Sequence, residues 1–283
     1  MRKIIAGGLT GLLSLIFAAG ALAAPHHPTG EWEVFSDCPL NRATMENCVY
    51  SVTTGGSVTL GSKTVPIKNP VTLQGGFEGV GSEIQFYGAE DGNTLSKTAQ
   101  PVPGGLAGLI KCNEISNLLV RLTCEATFEN GLTGVNATLE LAAAATSIKL
   151  NTENLIFEEG IALELPVKVH LENPFLGSGC YVGSNTNPLI VDLTTGTSGS
   201  LKGTSGKISF NKLFDKTTVK GAKLVNQTFT APGVTGCGGP VIELLINPLI
   251  NAMTGLPAGS GTNSASLEAD FEDGAAESVR ASE

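Results

Sequence analysis

"IALELPVKVHLE", residues 161–172, alternates apolar and polar side chains over its whole length. Ile161, Leu163, Leu165, Val167, Val169 and Leu171 fall on one face; Ala162, Glu164, Pro166, Lys168, His170 and Glu172 fall on the other. A period of two belongs to an extended chain with one buried face, so the stretch predicts a long strand. Pro166 has no N–H to give to a ladder, which predicts a sheet edge or a bulge there. Working outward, further strands are expected at 49–53, 57–60, 64–67, 70–74, 83–87, 135–141, 147–150, 154–157, 189–194, 206–210, 223–230 and 264–272. Turn formers such as "TTGG", "KNP", "QGG", "AEDGN" and "TTGTSGS" separate them. The fold class this predicts is mainly β: antiparallel sandwich or barrel-like sheets, with one or two short helices and disulfides.

Two stretches break the β rhythm. "PGGLAGLIKCNEISNLL" (103–119) has room for one short helix. "GPVIELLINPLINAMTGLP" (239–257) reads as a helix opened by Pro240 and interrupted or kinked at Pro248. Pro101, Pro103, Gly104 and Gly105 make 101–104 the best linker, dividing an N-terminal β region (24–100) from a C-terminal one (101–273), either separate or continuous with it. The final "GAAESVRASE" (274–283) is expected to be a disordered tail.

The first 23 residues have the form of a signal peptide. Arg2 and Lys3 precede an apolar run from Ile4 to Phe17, and Ala21-Leu22-Ala23 supplies an A-x-A cleavage site. The run is shorter than the ~20 residues a membrane-spanning helix needs. No cysteine lies near the site to carry a lipid. Without Arg2 and Lys3 the chain has 15 basic and 26 acidic residues, a net charge of −11. That balance argues against nucleic acid or an anionic membrane surface as a partner. Hydrophobic residues make up 41% of the chain, too many for disorder, and the 36 glycines suit a β protein with many tight turns.

Several phrases are familiar: "FSDCPL", "TVPIKNPVTLQGG", "LPVKVHLENPFLGSGCYVGS", "LTTGTSGS" and "GLPAGSGTNSASLEADF". From about Trp32 to Phe271 the chain resembles a group of uncharacterised secreted proteins of actinobacteria. The resemblance implies secretion and a bacterial source, and no activity comes with it. It also implies that the Asn136 and Asn226 sequons are not glycosylated.

An exported chain with six cysteines predicts three disulfides, for which 15 connectivities exist. Spacing ranks them. Cys38 with Cys48 and Cys112 with Cys124 close short local loops. Cys180 in "GSGCYVG" and Cys237 in "TGCGGP" remain, both among small residues that let two backbones approach to the ~5.5 Å Cα separation of a disulfide. A zinc site is the rival, but no C-x2-C pair exists and histidine is scarce.

Chemistry-bearing patterns are few. His170 is the one histidine in the body of the mature chain, on the polar face of its strand. As a general base it would need a nucleophile and an orienting group; the plainer reading is a solvent-facing strand residue. "GSVTLGSKT" (56–64) misses the phosphate-loop pattern because Ser62 moves Lys63 out of register. "QGGFEGVGSE" (74–83) reads as a loop. In "LEADFED" (267–273), Glu268, Asp270 and Glu272 share a face, which suits either Ca2+ or an acidic solvated strand. Glu158-Glu159 reads as a turn. Cleavage after Ala24 would leave Pro-His-His, with His26 and His27 spaced for an amino-terminal copper site.

The expectation is a secreted or cell-envelope protein with no catalytic residues, cofactor or metal, in a binding or structural role. Its partner is unknown, and neither nucleic acid nor a transmembrane helix is involved. A carboxylate-based hydrolase and an oligomeric envelope β-barrel are the alternatives. Scarce Trp and Tyr count against a sugar cleft, and the lack of aromatic girdles against a barrel.

Overall fold

The computed structural model describes residues 26–106, 116–119, 121–122 and 134–283. The expected signal peptide 1–23, most of the expected 103–119 helix, and both Cys112 and Cys124 lie outside the described residues. Strands follow the chain as β1 (Asn47–Leu60), β2 (Lys63–Pro66), β3 (Val71–Glu78), β4 (Gln85–Gly88), β5 (Gln100–Pro101), β6 (Asn136–Leu141), β7 (Lys149–Leu150) and β8 (Leu163–Glu172). Then come β9 (Tyr181–Val182), β10 (Leu189–Leu193), β11 (Thr197–Ser198), β12 (Leu201–Lys202), β13 (Lys207–Phe210), β14 (Lys216–Asn226), β15 (Val234–Thr235) and β16 (Ser264–Ala275). The α-helices whose bounds lie wholly among the described residues are α1 (Thr152–Phe157), α2 (Gly239–Thr254) and α3 (Ala276–Ala281).

One large sheet runs β13-β14-β16-β1-β3-β4, with β2 also on β1; a second runs β15-β9-β8-β6-β5, with β7 and β10 also on β8; β11 and β12 pair with each other as a small two-stranded sheet. All their pairings are antiparallel. Residues of both large sheets share one core, so the molecule is a β-sandwich. The first sheet joins strands from before residue 101 to strands from after it, so the expected linker does not divide the fold.

Two bulges set which residues reach that core. On β1 the register slips by one between Thr53 and Gly55, so Thr54 has no partner of its own. Val49, Ser51 and Thr53 face inward before the slip, Val58 after it, because one extra residue exchanges the faces of a strand. β14 slips likewise between Val219 and Ala222.

β8 forms where the alternation predicts it, but not at an edge. Pro166 lies opposite Ile190 of β10, and its carbonyl accepts the Ala142 N–H at 2.9 Å on the other side. A strand residue's nitrogen and carbonyl point the same way, so the missing donor falls in the gap between the end of β6 and the start of β7. An interior strand tolerates proline there. The alternation also fails at its first two residues: Ala162 is fully buried and Ile161 is exposed, because the strand begins only at Leu163.

Two local expectations are corrected. Residues 154–157 are helical: the Asn151 side chain accepts the Asn154 N–H at 2.9 Å and caps α1. Residues 274–283 are not a disordered tail. Gly274 and Ala275 complete β16, and α3 buries Ala276 and Val279 in a second core with Phe35, Cys38, Leu40, Met45 and Cys48. The Arg280 guanidinium donates to the carbonyls of Leu40 and Arg42. Gly76 and Gly274 flank Cys48 on the neighbouring strands. A side chain at Gly76 would strike Met45 Sδ at 2.6 Å, and one at Gly274 would strike Trp32 and Phe35 at 2.8 Å. This row of small residues is the floor on which the N-terminal segment sits.

Candidate functional site

The sandwich is not filled. Val58, Leu60, Val65, Ile67 and Val71 of the first sheet's side face Ala137, Leu139, Val169, Leu171 and Val182 of the second across a cavity of about 120 Å3. α2 closes one side with Ile250 and Thr254, and Leu256 follows. A second cavity of about 100 Å3 shares Val58, Ile67, Val71 and Leu139 with the first and continues to Leu163, Leu165 and Phe271. For scale, an engineered apolar cavity of about 150 Å3 takes up benzene.

The elements that wall this space are held by polar side chains turned away from it. Asn251 of α2 accepts the Val234 N–H at 2.7 Å, and Asn247 accepts the Cys237 N–H at 2.9 Å. Pro240 opens α2 as expected, and the helix passes through Pro248 without ending there. Cys237 is joined to Cys180, with Cα atoms 4.1 Å apart and a sequence separation of 57. A side chain on Gly236 would strike the Gly179 carbonyl at 2.1 Å, so only glycine allows this approach. The bridge ties the turn after β8 to the start of α2. Cys38 and Cys48 form the other disulfide among the described residues, with Cα atoms 5.5 Å apart.

The acid and base candidates lie elsewhere. His170 does not border either cavity. It is half-buried, stacked on Tyr181 with ring centres 4.5 Å apart. Its Nδ1 lies 3.7 Å from Glu140 and 3.5 Å from Glu172. Lys168 adds a cation 4.6 Å from the Tyr181 ring and 3.6 Å from Glu140. Burial, followed by the charges of Glu140 and Glu172, pushes the Tyr181 phenol up. Opposite His170 on β6, Thr138 is buried; among the described residues its Oγ1 and His170 Nε2 both lack hydrogen-bond partners. The face is thus a charged cluster with no hydrogen bond from a hydroxyl to the imidazole.

The three carboxylates of β16 do share a face, and lysines meet two of them. Asp270 lies 3.2 Å and Glu272 3.5 Å from Lys220, and Glu272 is 2.8 Å from Lys216. The Gly221 N–H, then the Lys220 ammonium, hold the Asp270 carboxyl down. Glu158 occupies the left-handed position ending α1 and accepts the Ser205 N–H and the hydroxyls of Ser205 and Thr204, which lower its pKa. His26 contacts Glu283 at 2.5 Å and Asn41 at 3.3 Å. "GSVTLGSKT" is the β1–β2 hairpin and "QGGFEGVGSE" runs from β3 into a loop. Among the described residues no cluster of three or more His, Cys, Asp or Glu is arranged to hold a metal ion.

Two residues of interest escaped the reading of the sequence. Lys63 lines the first cavity, on the same face of β2 as Val65. The alternation Lys63, Val65, Ile67 carries that signal. Asp273 follows Leu267, Ala269 and Phe271 at the same parity and so turns toward the core; its Oδ1 is enclosed without a partner, and burial pushes the carboxyl up to about 7. No family model, curated protein or solved structure matches this chain.

Proposed function

We propose that the protein is an exported, non-catalytic binder, secreted or resident in the cell envelope, that takes up an apolar small molecule between its two sheets. The observation that carries this reading is the pair of adjoining cavities with mostly apolar walls. A well-packed interior leaves few voids larger than a water, so apolar space of this size between two sheets suits a ligand. The disulfides favour an oxidising compartment, and no helix among the described residues is long and apolar enough to cross a membrane. Both agree with the signal-peptide form and with the resemblance to secreted actinobacterial proteins. Against the hydrolase alternative, the carboxylates of β16 face lysines on the outer side of the sheet, away from the cavities.

The test is binding of the neutral fluorescent probe N-phenyl-1-naphthylamine. Saturable binding is expected, and Ala137→Phe, which fills the first cavity, should remove most of it while costing about 1–3 kcal/mol of stability. Absence of binding, or equal binding by the folded Ala137→Phe variant, would sink the proposal.

A further inference from the structure

Four polar side chains border the first cavity: Lys63, Thr98, Gln100 and Thr254. Three of them are already committed. Gln100 accepts the N–H groups of Lys68 and Asn69 at 2.8 and 3.0 Å and donates to the Asn69 carbonyl at 2.7 Å. The Thr254 hydroxyl donates to the Ile250 carbonyl at 2.7 Å, and the Thr98 hydroxyl lies 3.0 Å from that of Ser96.

Lys63 differs. It is half-buried, and among the described residues it is the one charged side chain on the cavity wall and its ammonium has no ion pair or hydrogen bond. Lys168, Lys216 and Lys220 each sit against a carboxylate. In a chain with more acids than bases, an uncompensated cation beside apolar space calls for an anion from outside. Its position is also fixed. The Gly61-Ser62 turn before it is pinned by the Ser62 N–H to the Thr254 carbonyl at 2.8 Å and by the Gly61 N–H to Asn263 Oδ1 at 2.9 Å. From Lys63 the apolar space continues past Val58 and Leu139 into the second cavity.

Resting on the binding role proposed above, we infer that the ligand is a single-chain anionic amphiphile, a medium-chain fatty acid, with its carboxylate on Lys63 and its chain running inward between the sheets. The ion pair forms at the rim, where the carboxylate keeps part of its hydration, and the chain supplies the apolar burial. No bond is made or broken.

The experiment measures displacement of N-phenyl-1-naphthylamine at pH 8 by decanoate and by 1-decanol, for the wild type, Lys63→Met and Lys63→Arg. In Lys63→Met, decanoate should bind about tenfold more weakly, the scale of one hydrogen bond to a charged group, while decanol is unchanged. Lys63→Arg should restore decanoate. Unchanged decanol affinity shows that the variants are folded with the cavity intact. Equal decanoate affinity in the wild type and Lys63→Met overturns the role of Lys63 and leaves apolar binding standing. Failure of the probe and decanol to bind the wild type overturns the binding role itself.

Discussion

Asp273 is the residue at which the interior is least comfortable. Part of its side chain reaches water, but Oδ1 is enclosed and among the described residues no donor meets it. Its folded pKa of about 7 lies above the unfolded value of about 3.9. Below pH of about 4 it is protonated in both states and its own contribution to stability is complete. As the pH rises toward 7 the unfolded chain releases the proton first, and stability falls by up to about 1.4 kcal/mol per pH unit. Asp273→Asn should remove that slope. Urea midpoints at pH 4.5 and 7.5 should show the variant gaining at least about 1 kcal/mol on the wild type between the two. A constant difference would mean that the carboxyl titrates normally. His170, the residue that stood out by rarity, is instead packed between two carboxylates and a tyrosine ring.

At the scale of elements, α3 makes the sharpest prediction. Its composition, "AESVRA", is polar enough to read as tail, and its one large apolar side chain, Val279, is completely buried. Ending the chain at Ala275 should uncover Phe35 and Cys38 and remove the Arg280 hydrogen bonds. The expected cost is roughly 2–4 kcal/mol, seen as a lower urea midpoint. An unchanged midpoint would return these residues to a passive tail. α2 shows the opposite mismatch. Its sequence carries apolar residues on every side, with Glu243, Asn247 and Asn251 scattered among them, yet Leu244 and Leu245 are 81% and 73% exposed and only Ile250 and Thr254 are buried. A helix apolar on all sides hides the face it will bury, whereas β8 declares its face by alternation.

The whole molecule depends on closures distant in sequence. The Cys180–Cys237 bridge spans 57 residues and holds α2 against the second sheet. Replacing both cysteines by alanine should cost about 4 kcal/mol on the loop-entropy relation. It should also weaken uptake of the apolar probe, because α2 supplies one wall of the cavity. A doubly substituted protein of wild-type stability would show that packing alone holds the helix.

Strand positions were legible because side-chain period and turn chemistry are local: β1, β3, β6, β8, β10 and β16 lie within a few residues of where alternation and glycines place them. The cysteine spacing likewise singled out Cys38 with Cys48 and Cys180 with Cys237. Tertiary structure decided the rest. Which strands become neighbours depends on pairing free energies summed over long separations, so β1 lies between β3, which follows it closely in the chain, and β16 from the far end of the chain. The bulges at Thr54 and near Gly221 change faces, and the glycines beside them read equally well as turns between separate strands. A cavity exists only where two sheets fail to fill the space between them, and no single strand records that its partner across the sandwich is too small.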